Sequence, residues 1–273
     1  MPVIVLHCGP DFDHSYLRPD LDRLADSLRL IYYDQRGRGR SAVGVRAEEV
    51  TLKSEIADLE AVRQHYQLGV AAVLGHSWGA VLALEYAIRH SNRVSHLLLM
   101  NPAPASTTDL TFFREHRLEK TAPDRERMEV IAATAGYQEG DPDIIAAYYR
   151  IHFTAAIRKA EHLDEVVRRL RASLTREGYV KARAIEGRLM QQTWALNGYD
   201  RLPKLAQLRI PTLVVHGAHD IIPVEVSEHI AGAVPDSRLV MLKDCGHFSY
   251  LECPDAVRTA VGDFLSPSTA PRR

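Results

Sequence analysis

Six short apolar runs punctuate the chain: residues 2–7, Leu30–Tyr33, Val70–Leu74, Val94–Met100, Thr212–His216 and Arg238–Leu242. They are mostly apolar at odd and even positions alike, which is how strands read when a sheet is covered on both faces. Stretches with helical spacing fall between them, at Leu17–Leu28, Leu52–Tyr66, Ala80–His90, Val224–Ala233 and Pro254–Leu265. Such alternation predicts a doubly wound α/β core around a mostly parallel sheet. From Pro102 to Gly198 the alternation stops, and only helical patterning remains, at Ile144–Ile151, His162–Leu174 and Tyr179–Leu196. The expected organisation is therefore a core of residues 1–101 and 199–266, a helical cap inserted at 102–198, and a flexible, solvated tail at 267–273. Pro102 and Pro104 mark the entry to the cap, because proline and the residue before it both resist helix.

Three features of the loops add chemistry. Gly75-His76-Ser77-Trp78-Gly79 lies between an apolar strand and a helix. A turn that sharp strains the serine backbone and leaves room only for glycines at its flanks, which marks Ser77 as an exposed nucleophile. A serine hydroxyl needs a base, and the base needs a group that fixes its tautomer. Asp220 and His247 follow two later apolar runs, in the order Ser, Asp, His and at strand C-terminal ends, where a parallel sheet places its ligand sites. Two backbone N–H groups are needed for the oxyanion. Trp78, next to the nucleophile, supplies one and the loop His7-Cys8-Gly9-Pro10 the other, with Gly9 favoured and Cys8 the alternative.

Composition bounds the rest. A formal net charge of −1 over 273 residues offers no basic field for nucleic acid or an anionic membrane surface. No apolar run reaches the roughly 20 residues that span a bilayer, and the N-terminal residues do not read as a secretory signal, so the expected compartment is the cytoplasm. Cys8, Cys245 and Cys253 show no CxxC spacing and are expected as free thiols. His216 and His219 have no partners at metal-ligand spacing, so no metal is expected. The arginine- and glycine-rich stretch Asp34–Ser41 reads as a structural turn, since it is not a phosphate cradle.

Taken together, Gly-His-Ser-Trp-Gly-Ala-Val-Leu-Ala-Leu-Glu-Tyr at 75–86, the first-strand loop and Asp-Gln-Arg-Gly-Arg-Gly-Arg-Ser at 34–41 resemble the proline iminopeptidase branch of the α/β-hydrolases. Cys8, Asp11 and Ala218 depart from the family pattern. The resemblance implies an α/β-hydrolase fold with a helical cap, no cofactor, and a serine hydrolase that cleaves small ester or amide substrates, such as N-terminal residues of short peptides, through an acyl-enzyme. It also implies a cap glutamate for the substrate's amino group. Glu186 in Ala184-Ile185-Glu186 is the nearest match, against the alternative of a solvated glutamate among Lys181, Arg183 and Arg188. A carboxylesterase or acyl-lactone hydrolase without peptidase activity, and a ligand-binding receptor that keeps the three residues, are the competing functions. The partner expected in each case is a small molecule or short peptide. The sheet would have six strands, with Leu30–Tyr33 at an exposed edge, since this chain opens directly on the first-strand loop's strand.

Overall fold

The structure, a computed structural model, describes residues 1–9 and 12–266; Asp11 and the tail at 267–273 lie outside the described residues. Six strands, β1 (Pro2–Leu6), β2 (Arg29–Tyr32), β3 (Ala71–His76), β4 (Val94–Met100), β5 (Thr212–Gly217) and β6 (Ser237–Leu242), form one sheet in the order β2-β1-β3-β4-β5-β6. Every pairing is parallel, beyond the mostly parallel sheet expected. β3 and β5 are buried at all positions, so both faces of the sheet are covered at its centre, while β2 is an exposed edge, as expected.

Helix α1 (Leu52–His65) precedes β3 and α2 (Trp78–Arg89) follows it. Between β4 and β5 the chain forms α3 (Thr107–Lys120), α4 (Arg125–Ala132), α5 (Ala135–Gln138), α6 (Pro142–Thr154), α7 (Leu163–Ser173), α8 (Arg176–Gln191) and α9 (Leu202–Leu205). The only β contact there is a single bridge from Ser106 to Asp200, at the entrance and exit of that stretch. α10 (Val224–Ala233) follows β5, and α11 (Ser249–Glu252) and α12 (Pro254–Leu265) follow β6. α2 packs on β3, α1 and α9, and α10 packs on β5, β6 and α9, whereas α12 packs on β5 and the turn at Asp20–Leu24.

Two expectations are corrected. Leu17–Leu28 is not a helix but two 3₁₀ turns, His14–Leu17 and Asp20–Leu24. Pro19 lies between them, and its ring holds Arg18 in extended backbone, so the helix cannot run through. The leucines that suggested a helix, Leu17, Leu21, Leu24 and Leu28, are nonetheless all buried. Cys245 and Cys253 are not free thiols but a disulfide. They are eight residues apart, and α11 folds the chain back until their Cα atoms are 6.2 Å apart, within the span of the bond. The pairing removes the thiol argument for a cytoplasmic location. Cys8 is buried and outside the disulfide. No helix among the described residues is long and apolar enough to cross a membrane.

Candidate active site

β3 ends at His76 and α2 begins at Trp78, so Ser77 alone makes the turn, with φ 55° and ψ −116°. A positive φ at a non-glycine residue typically costs about 1–3 kcal/mol and persists only where its surroundings enforce it. The flanking glycines are part of that enforcement. A Cβ at Gly75 would stand 2.4 Å from the Gly79 carbonyl oxygen, and one at Gly79 would stand 2.3 Å from the Leu6 carbonyl oxygen. The turn therefore packs backbone against backbone, with α2 seated directly on β1.

Asp220 and His247, on the loops after β5 and β6, meet in the interior. The Nδ1 of His247 lies 2.9 and 3.0 Å from the two carboxylate oxygens of Asp220, which is buried. Asp220 also accepts from the Ile222 N–H at 2.9 Å and from the Asn101 side-chain amide at 2.7 Å. Burial by itself would raise the carboxyl's pKa, but the His247 imidazole, His216 and the Ile222 N–H bring it down to about 2, so it is ionised at neutral pH. An ionised acceptor at Nδ1 requires the ring to carry its proton there, leaving Nε2 to act as a base. His247 is itself held by its backbone N–H, which donates to the Ala156 carbonyl at 2.7 Å.

Ser77 and His247 line one cavity of about 370 Å³, together with Gly9, Trp78 and, on the α8 side, Glu186. All the residues expected at the site thus converge there except Asp220, which lies behind His247. The Cys8 N–H donates to the hydroxyl of Tyr16 at 2.8 Å. The N–H groups of Gly9 and Trp78 take no partner among the described residues. Glu186 is half-buried on α8 and makes no hydrogen bond or ion pair among the described residues; burial raises its carboxyl, against the pull of Arg183 and Arg117. Cys8, His76 and His247 bring ligand-type atoms within 4.8 Å of one another, but both ring nitrogens of His76 are already engaged, by Tyr16 and by the His247 carbonyl, so the cluster lacks one lone pair for a metal.

Asp34–Ser41 is structural, as read: buried Arg38 donates to Glu55 at 2.7 Å and to Gln35 at 2.6 Å, and Gln35 donates to the His7 carbonyl at 2.8 Å. Four supporting residues escaped the sequence pattern. Asn101 follows β4 with φ 47° and clamps Asp220, Tyr16 and His76 sit beneath the loops, and Glu252 on α11 accepts the N–H groups of Gly246, Arg158 and Lys159. His76 lies inside the Gly75–Gly79 turn motif, but at a position that the turn itself does not constrain; the other three belong to no periodic or spaced motif, and the one visible signal for them was the Asn-Pro pair just after β4.

A sequence profile of the alpha/beta hydrolase fold matches residues 1–254. The chain belongs to this family and is a hydrolase. Within the family it is similar to the proline iminopeptidase of Lactobacillus helveticus (strain DPC 4571), 30% identical over 97% of this chain and 89% of the relative. Among solved structures, a proline iminopeptidase from Mycobacterium smegmatis shares the fold, with a TM-score of 0.71 and 23% identity over 97% of this chain and 89% of that one. A thermophilic esterase from Thermogutta terrifontis superposes with a TM-score of 0.69 and 25% identity over 97% and 89%.

Proposed function

We propose that the protein is a serine hydrolase that releases N-terminal residues from short peptides by way of an acyl-enzyme, in the manner of a proline iminopeptidase. The observation that carries this reading is the His247 imidazole, gripped at Nδ1 by both oxygens of a buried carboxylate and lining the same cavity as a strained Ser77. Nε2 of His247 takes the hydroxyl proton as Ser77 Oγ attacks the carbonyl carbon. Asp220 stabilises the imidazolium that results. The carbonyl oxygen, now an alkoxide, is received by the N–H groups of Gly9 and Trp78. Collapse of the tetrahedral intermediate breaks the C–N bond, and the imidazolium gives its proton to the departing amine. Water, deprotonated by the same nitrogen, then frees the acyl group and restores Ser77. The helices of residues 102–198 act as a cap that closes the cavity, and Glu186 receives the substrate's ammonium group, since an unpaired charge in a partly dry pocket costs several kcal/mol.

A second reading, an esterase or acyl-lactone hydrolase, is favoured by one observation. Arg117 and Arg183 line the same cavity as Glu186, compete for its carboxylate and repel an incoming ammonium group. Turnover of proline anilide, p-nitrophenyl acetate and an acyl lactone separates the two. The peptidase reading expects Glu186→Gln to raise KM for the anilide at least about tenfold and to leave the acetate ester nearly unchanged. No anilide hydrolysis by the parent enzyme, or equal effects on both substrates, makes esterase or lactonase the function.

A further inference from the structure

Beneath the cavity a chain of buried hydrogen bonds joins the three loops that carry the site. The carbonyl oxygen of His247 can only accept, so the His76 Nε2 that lies 2.9 Å from it must carry a proton. His76 Nδ1 is then bare and accepts from the Tyr16 hydroxyl at 2.7 Å. With its proton spent there, the Tyr16 oxygen accepts the Cys8 N–H at 2.8 Å. Every donor and acceptor is fixed by its neighbour, and Tyr16 and His76 are both almost wholly buried. On the other side of Cys8, His7 Nε2 accepts the Gln35 N–H at 3.0 Å, so its Nδ1 donates to the Cys8 carbonyl, also at 3.0 Å. That carbonyl shares its peptide plane with the Gly9 N–H. In a trans peptide the two point in opposite directions, so drawing the Cys8 oxygen toward His7 turns the Gly9 N–H away from it.

We propose that Tyr16 and His76 are positioning residues that hold the oxyanion loop and the base loop in one frame, so that the Gly9 N–H and the His247 imidazole address the same reacting carbonyl. The proposal rests on the reading of Ser77 and His247 above. Neither Tyr16 nor His76 lines the cavity. Each fixes a backbone group next to one that does: Cys8 before Gly9, and the carbonyl of His247 itself. His76 sits one residue before Ser77, so the elbow is tied into the same frame. Loss of an oxyanion donor costs about 10²- to 10³-fold in rate, and a displaced donor costs part of that.

The test uses the full chain, p-nitrophenyl acetate and phenylboronic acid, whose serine adduct is tetrahedral and places an oxygen in the oxyanion site. Tyr16→Phe is expected to lower kcat about 10- to 100-fold with KM within about twofold, and to weaken boronate inhibition by a similar factor. A merely structural role would lower the melting temperature and leave kcat per folded molecule and boronate affinity alone. His76→Gln retains a donor at the Nε2 position but loses the acceptor for Tyr16, and His76→Asn does the reverse; each is expected to lower kcat while the other half of the relay persists. These variants carry the test if Tyr16→Phe does not fold. Parent-like kcat and boronate affinity in the folded variants overturn the relay. Failure of a fluorophosphonate to label Ser77 in the parent enzyme overturns the reading beneath it as well, and the two failures are told apart by that labelling.

Discussion

Buried histidines make this fold acid-sensitive, and His76 shows by how much. Burial, with the charge of His247 adding to it, pushes its pKa from 6.5 down to about 3. The folded value lies below the unfolded one, so as pH falls the unfolded chain takes up the proton first. The stability is fully present above about pH 6.5 and is lost as pH falls toward 3. At pH 5 the unfolded histidine sits about 1.5 units above the solution pH while the folded ring is still neutral, so this residue alone costs about 2 kcal/mol relative to pH 7.5. His7, lowered to about 4, and His152, lowered to about 3, both mainly by burial, act in the same direction. Glu55, Glu186 and Glu252, raised by burial, act against them, so the parent's total is a difference of opposing effects. A comparison isolates the histidine: urea unfolding of the parent and of His76→Asn at pH 7.5 and 5.0, with linear extrapolation to water. The variant is less stable throughout but is expected to lose about 2 kcal/mol less between the two pH values. Equal losses in parent and variant refute the reasoning.

Ser77→Ala and His247→Ala are each expected to lower kcat by about three orders of magnitude or more, and the double variant by little beyond either, because the groups act as a unit; retained ester hydrolysis in Ser77→Ala removes the mechanism. Gly79→Ala drives a methyl into the Leu6 carbonyl oxygen at 2.3 Å and is expected to give little soluble, active protein, whereas Gly187→Ala on α8, with open space around it, is expected to match the parent in thermal melts. Glu252→Gln offers an amide to three N–H donors, leaves one of them facing another donor, and is expected to cost about 1–3 kcal/mol in urea unfolding.

The centre of the sheet was legible because strands buried on both faces, such as β3 and β5, leave continuous apolar runs, and β4, α10 and α12 begin and end where the pattern places them. Ser77 and its glycines were legible too, since a Cβ at Gly75 or Gly79 would stand 2.4 or 2.3 Å from a backbone oxygen, which constrains sequence locally. Asp220 and His247 could be picked out by their strand ends, but their pairing is a contact across 27 residues that only the folded sheet makes. What the sequence left open depended on chain direction and distance. Periodicity read Leu17–Leu28 as helix because the same leucines are buried either way, and Pro19 decided the backbone. Three cysteines gave no pairing rule, and the fold-back at α11 supplied one. That the Tyr16 hydroxyl takes the Cys8 N–H is a contact across eight residues that no local pattern announces. That Glu186 lines the same cavity as Ser77 and His247 could not be read from its place on a basic helix. Local sequence determined which residues could carry chemistry, because strain and burial act on each position separately; the tertiary structure decided which polar groups face one another, because hydrogen bonds between distant loops exist only once those loops are brought together.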